Sequence, residues 1–155
     1  MKAKTIGILL TLCLVPPLLA YVPARGSKYN TSGQKVRFAP VRIYLDSGDK
    51  PLAAYQFELK AKTGQIKIVG VEGGEHPAFR EAPYYDPAAL MNDRIIIAAF
   101  NTGTDLPHGR THIATIHLQI LGDAEPPYDL KLVTVANQDG QEIHADLNLQ
   151  MGESK

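Results

Sequence analysis

Tryptophan is absent from this 155-residue chain, and cysteine occurs once, at Cys13. A single thiol excludes a disulfide framework. Charge of one sign is also missing: 16 Lys plus Arg stand against 16 Asp plus Glu, so the formal net charge is zero. Nucleic-acid binders need a basic face to neutralise phosphates, so no nucleic-acid partner is expected. Serine is scarce beyond the N-terminus (Ser27, Ser32, Ser47, Ser154), and none sits in a Gly-x-Ser-x-Gly turn. What remains is a chain 45% hydrophobic and 21% charged, which excludes a mainly disordered polymer and suits one domain with its own core.

Lys2 and Lys4 precede an apolar run from Ile6 to Val15, which Pro16 and Pro17 break before the small residues Ala20 and Ala24. A charged start, an apolar middle and a small-residue end are the parts of a secretory signal peptide, assigned here to residues 1–24. Cleavage after Ala24 is preferred because it places Val22 at the minus-three position, whereas cleavage after Ala20 places Leu18 there. An apolar run broken by two prolines falls short of the ~20 residues a bilayer span needs, which disfavours an uncleaved anchor. Leu10-Thr11-Leu12 before Cys13 lacks the small residues of a lipoprotein signal. Cleavage leaves 14 bases against 16 acids and no cysteine. The expected location is secreted or periplasmic, with the membrane involved only in export.

Residues 25–35 are rich in Gly, Ser, Asn and Lys and read as a flexible lead-in. Period-two alternation then recurs across residues 36–150. Val41, Ile43 and Leu45 alternate with polar neighbours up to a turn at Asp46-Ser47-Gly48-Asp49. Tyr55, Phe57 and Leu59 form a second strand closed by Thr63-Gly64, and Ile66, Ile68, Val69 and Val71 a third, ended by Gly73-Gly74. Ile95-Ile96-Ile97 is a continuous apolar run, expected as a central strand covered on both faces. Ile116, Leu118 and Ile120 share a face, as do Leu130, Leu132 and Val135. After a turn at Asn137-Gln138-Asp139-Gly140, Ile143 to Leu149 form the last strand. Pro87 to Met91 is the only candidate helical turn, with Pro87 at its first position. Short strands separated by turn residues predict one all-β domain, an antiparallel sandwich or barrel.

Three segments carry a family likeness. Tyr55 to Gly74 passes from an alternating strand through Thr63-Gly64 into a strand with Val69-Gly70-Val71 and a closing Gly73-Gly74. Arg94 to Phe100 is followed by a polar loop and then by Gly109 to Gly122, whose Ala114-Thr115-Ile116 run ends near glycine. Val133 to Leu149 follows, similar to the family's closing hairpin, with Asp139-Gly140 at its turn. This order resembles the cohesin domain over roughly residues 36–149, with a longer, proline-rich loop at residues 73–94. The resemblance implies an antiparallel jelly-roll β-sandwich of about nine strands, akin to cellulose-binding modules, that binds a protein such as a dockerin domain through one sheet face.

The 73–94 loop gathers His76, Phe79, Arg80, Tyr84, Tyr85 and Asp86 between Pro77, Pro83 and Pro87. Prolines lower the ordering cost of a binding loop, and aromatics beside charged groups stack on sugars or anchor a protein. The plainer alternative is a lid, with the aromatics capping the open end of the sandwich and Arg80 paired to Asp86. His108, His112 and His117 lie close in sequence, but period-two geometry gives His112 the parity opposite to His117. No His-x-His spacing falls on one element and no cysteine completes a set, so ordinary surface histidines are expected rather than a metal site. Asn137 to Asp146 fails the pattern of a calcium loop, since its first ligand would be Val135. Asp46, Asp49 and Glu72 at strand ends allow weak calcium binding at most, and no other cofactor is implied.

The sequence therefore predicts an exported, non-catalytic recognition module. Its first candidate surface is an outward sheet face carrying Thr115, His117 and Gln119, which binds a protein partner. The alternative is a carbohydrate-binding module: Tyr84, Tyr85 and Phe79 would stack on a polysaccharide, while Arg80, Asp86 and Glu75 would bond its hydroxyls. A hydrolase using Glu75, His76 and Asp86 ranks last.

Overall fold

Alternating β-branched and aromatic residues set the architecture, since each strand has one apolar face to bury. The computed structural model describes residues 35–152, so the signal segment and most of the lead-in lie outside the described residues. Eight strands follow in order: β1 (Val36–Asp46), β2 (Ala54–Ala61), β3 (Ile66–Gly73), β4 (Tyr84–Tyr85), β5 (Arg94–Phe100), β6 (Arg110–Leu121), β7 (Tyr128–Ala136) and β8 (Asp146–Met151). They form two antiparallel four-stranded sheets, ordered β3-β6-β1-β8 and β4-β5-β2-β7. The only helical pieces described are 3-10 turns at Pro77–Phe79 and Pro87–Ala89. No described helix is long and apolar enough to cross a membrane.

One hydrophobic cluster joins the inner faces of both sheets, as in a sandwich. Val41, Ile43 and Leu45 of β1 and Ile116, Leu118 and Ile120 of β6 share it with Tyr55, Phe57 and Leu59 of β2 and Ile95 and Ile97 of β5. Most are fully buried, and each such side chain contributes about 1.5–3 kcal/mol of transfer free energy.

Two expectations need correction. The Ile95-Ile96-Ile97 run is covered on one face only: Ile95 and Ile97 are buried, whereas Ile96 is 39% exposed. Strands flank β5 on both sides, but only its inner face meets the other sheet. The Asp139-Gly140 turn forms, with Gly140 at φ +74° and the Asn137 side chain accepting from the Asp139 and Gln141 amides. It closes no hairpin between long strands. A single bridge joins Ala136 to Glu142, after which the chain crosses to the other sheet, where β8 pairs with β1.

Three bulges break the simple alternation. Opposite Ile43 and Tyr44 the partners are Ala114 and His112, so Ile113 is the extra residue on β6. The bulge frees the Ile113 carbonyl, which accepts a buried hydrogen bond from the Tyr55 hydroxyl at 2.9 Å. Val133 on β7 and Val69 on β3 are the extra residues at the other two.

Candidate recognition surfaces

The outer face of β3-β6-β1-β8 carries the first predicted group. Thr115, His117 and Gln119 alternate with the core residues Ile116, Leu118 and Ile120, so all three point outward. Thr115 is nevertheless only 8% exposed. The bulge at Ile113 explains this by reversing parity: His112 pairs with Tyr44 and joins the outer face, contrary to the strict alternation read from sequence. Its Nε2 lies 3.0 Å from the Ala114 carbonyl oxygen and 3.1 Å from the Thr115 hydroxyl, and its Nδ1 lies 3.6 Å from a Glu75 carboxylate oxygen. The ring packs at 5.3 Å from Tyr44, over which the Arg110 guanidinium stacks at 3.7 Å. His117 and Gln119 are half-buried, and His117 Nε2 faces Glu72 at 3.1 Å. Next to them, Phe38 is paired with Gln119 and is 52% exposed; Val36 lies beyond it. The β1 parity already pointed to Phe38, because Val41, Ile43 and Leu45 face inward and the even-numbered residues face out.

The 73–94 loop divides its predicted residues between structural and exposed roles. Gly73 and Gly74 let it turn against the sheet: a methyl on Gly73 would collide with the Arg80 and Glu81 carbonyls, and one on Gly74 with the His112 carbonyl. Phe79 is 3% exposed and meets Tyr55 edge-on at 5.2 Å, so it belongs to the core. His76 and Asp86 are caps, accepting from the Ala78 amide at 3.2 Å and the Ala88 amide at 2.9 Å. Tyr85 is half-buried and packs on the core. No ion pair joins Arg80 to Asp86 among the described residues; Arg80 is exposed at the end of the first 3-10 turn. Glu75 and His76 line one cleft and Asp86 another, so these three are not brought together.

Tyr84 differs from the rest of the loop. It is 69% exposed and pairs with Ala98, which puts its ring on the outer face of β4-β5-β2-β7. There it lies parallel to Phe100, 63% exposed, with ring centroids 6.0 Å apart and an interplanar angle of 10°. Sequence reasoning left Phe100 out of the site, although Ile95 and Ile97 facing inward put residue 100 outward. Further along the same face, Arg94 makes a two-point contact with Glu58, at 2.9 and 2.8 Å. That bonding to Arg94 holds the Glu58 carboxyl below the usual carboxylate range and raises the guanidinium in turn. Two phenols titrate abnormally: burial pushes Tyr55 well up and Tyr128 up to about 12.

Among the described residues no three His, Cys, Asp or Glu side chains are grouped so as to hold a metal ion, and Asp46, Asp49 and Glu72 do not converge. Asp46 instead accepts from the Gly48 amide at 3.0 Å. The chain matches no protein-family model, no curated protein and no solved structure.

Proposed function

We propose that this protein is an exported, non-catalytic recognition module of cohesin-like jelly-roll fold, about nine strands in full, that binds a protein partner through the outer face of β3-β6-β1-β8. Of the segments that carry the family resemblance, the first two form β2, β3, β5 and β6, and the third runs from the end of β7 into β8. Export rests on the charged, apolar and small-residue pattern of residues 1–24.

The observation that carries the reading is the exposed Phe38, paired with Gln119 and flanked by Val36, on the two longest strands, 11 and 12 residues. A bare aromatic in a field of polar groups has the anatomy of an interface anchor with its rim. Arg42, Lys67, Glu72 and Gln150 are exposed around it with both signs of charge, which favours a defined partner orientation. From strand spacing and rise the face offers on the order of 600 Å². That sits at the lower edge of specific interfaces and suits a reversible partner. Thr115 acts from beneath, positioning His112, while His117 and Gln119 supply polar contacts.

The test is affinity capture from an envelope extract of the source organism, with wild-type, Phe38→Glu and Tyr84→Ala baits run side by side. One protein should be retained by wild type and by Tyr84→Ala but reduced at least tenfold with Phe38→Glu. Equal capture by all three baits, or capture lost only with Tyr84→Ala, would overturn the assignment.

A further inference from the structure

Tyr84 and Phe100 lie on the other sheet, and the reading above leaves them unused. β4 is only two residues long, and the pleat sends Tyr85 into the core and Tyr84 out. Pro83, buried, precedes this pair, and Pro87, capped by Asp86, follows it. Asn101 ties the end of β5 to the loop, donating from Nδ2 to the Ala78 carbonyl at 3.0 Å and accepting from the Gly103 amide at 2.7 Å. Buried Phe79 and the bond from the Gly74 amide to its carbonyl, 2.7 Å, fasten the loop from below. The two exposed rings are thus held on a braced frame, so little freedom remains to be lost when a ligand stacks on them.

Beside the rings is a cleft of about 270 Å³, with Pro77, Glu81, Pro83 and Asn101 in its walls. That volume falls just below the ~300–1,000 Å³ of drug-sized pockets and suits one small ring of a longer ligand. Across the sheet, Phe100 pairs with Ala54, and Ala98 with Gln56, which in turn pairs with Thr134. The floor beside the aromatics is therefore shallow and small, and it offers an amide and a hydroxyl, both uncharged. Further along the face Arg94 pairs with Glu58, and Lys131, cross-strand from Glu58, is exposed beyond Thr134. Exposed Glu81 at the cleft disfavours an anionic ligand.

From these observations we infer that Tyr84, Phe100 and the adjoining cleft form a binding site for pyranose units of a neutral glycan. A sugar ring has an apolar C–H face that stacks on flat aromatics and hydroxyls at its edge that meet an amide and a hydroxyl. No cation stands among these groups to hold phosphate, so the site does not suit a nucleic acid or a phosphorylated ligand. It lies on the sheet opposite the protein-binding face proposed above and stands independently of it. The two sites together would tether a protein partner to a polysaccharide.

The experiment is affinity electrophoresis of the full chain in gels containing soluble neutral polysaccharides (xylan, glucomannan, mixed-linkage glucan, hydroxyethylcellulose), with polygalacturonate as the anionic comparison. At least one neutral glycan should retard the wild-type protein. Tyr84→Ala and Phe100→Ala should each weaken that retardation about tenfold or more, Gln56→Ala less, and Ile96→Ala, lower on the same face, not at all. Both aromatics are exposed, so melting curves of these variants should overlay wild type and separate lost binding from lost folding. No retardation by any neutral glycan, retardation that survives both aromatic substitutions, retardation by polygalacturonate alone, or a protein captured through Tyr84 would each overturn the inference.

Discussion

Phe79→Ala separates the two roles that sequence allowed for the 73–94 loop. The ring is 3% exposed, packs edge-on against Tyr55 at 5.2 Å, and lies within the cluster shared by both sheets. Truncating a buried phenylalanine costs about 3–5 kcal/mol through lost transfer free energy and the cavity left behind. The aromatic pair supplies about 0.5–1.5 kcal/mol of that. For the 118 described residues, unfolding entropy near Tm is about 0.25 kcal/mol/K, so a 4 kcal/mol loss lowers Tm by about 15 °C. Differential scanning calorimetry measures this directly, with Phe79→Leu as a volume-sparing control losing about a third as much. Had Phe79 been a surface binding residue, the alanine variant would melt within ~2 °C of wild type and change only ligand affinity. A Tm drop below about 4 °C would refute the placement of this ring in the core, and with it the braced frame under Tyr84.

The remaining predictions use other contacts. Gly74→Ala puts a methyl into the His112 carbonyl and should destabilise by ~3 kcal/mol or more in urea unfolding, whereas alanine at Gly64, with nothing within 4 Å, should change stability by under ~1 kcal/mol. Tyr55→Phe strips the partner from the buried Ile113 carbonyl and should cost ~1–2 kcal/mol at pH 7; Tyr128→Phe removes a buried hydroxyl that has no hydrogen-bond partner and should be neutral or slightly stabilising. Both folded-state phenols sit above the unfolded value near 10, so fold stability is unaffected by their ionisation below that pH and falls as pH rises past it; each Phe variant should flatten the alkaline fall in Tm. Glu58 is displaced downward, so its contribution is present above the ordinary carboxylate range and disappears as pH falls through its lowered value. The Tm difference between wild type and Glu58→Gln should close in acid.

Much of the sandwich was legible because burial imposes period two wherever one face meets a core. Val41/Ile43/Leu45, Tyr55/Phe57/Leu59 and Ile116/Leu118/Ile120 all lie inward as the alternation requires. What alternation cannot supply is the place where it slips. The extra residue at Ile113 moves His112 to the outer face and changes its neighbours to Tyr44, Thr115 and Glu75, and no local residue pattern announces that bulge. Sheet membership was equally hidden, since Asp139-Gly140 makes the same turn whether or not the flanking strands go on to pair. In the loop, sequence gathered the aromatics but not their directions. Phe79 turns inward from its 3-10 turn, and a two-residue pairing with Ala98 and Ile97 sends Tyr84 out and Tyr85 in. Phe100 could have been read from the parity of its own strand.

The order of strands within the sheets bears on when this chain can fold. Only β4 and β5 are neighbours both in sequence and in a sheet; β1 waits for β6 and β8, and β2 for β5 and β7. A nascent chain ending before residue 110 has no partner strand for β1 or β3, so one whole sheet must await the later segments. Long loops must close before contacts repay their entropy, which places refolding in the millisecond-to-second range of non-local β proteins. Under the export proposed above, such slowness would be useful: the leading strands would reach a translocation channel with nothing yet to pair with, and the sandwich would assemble on the far side.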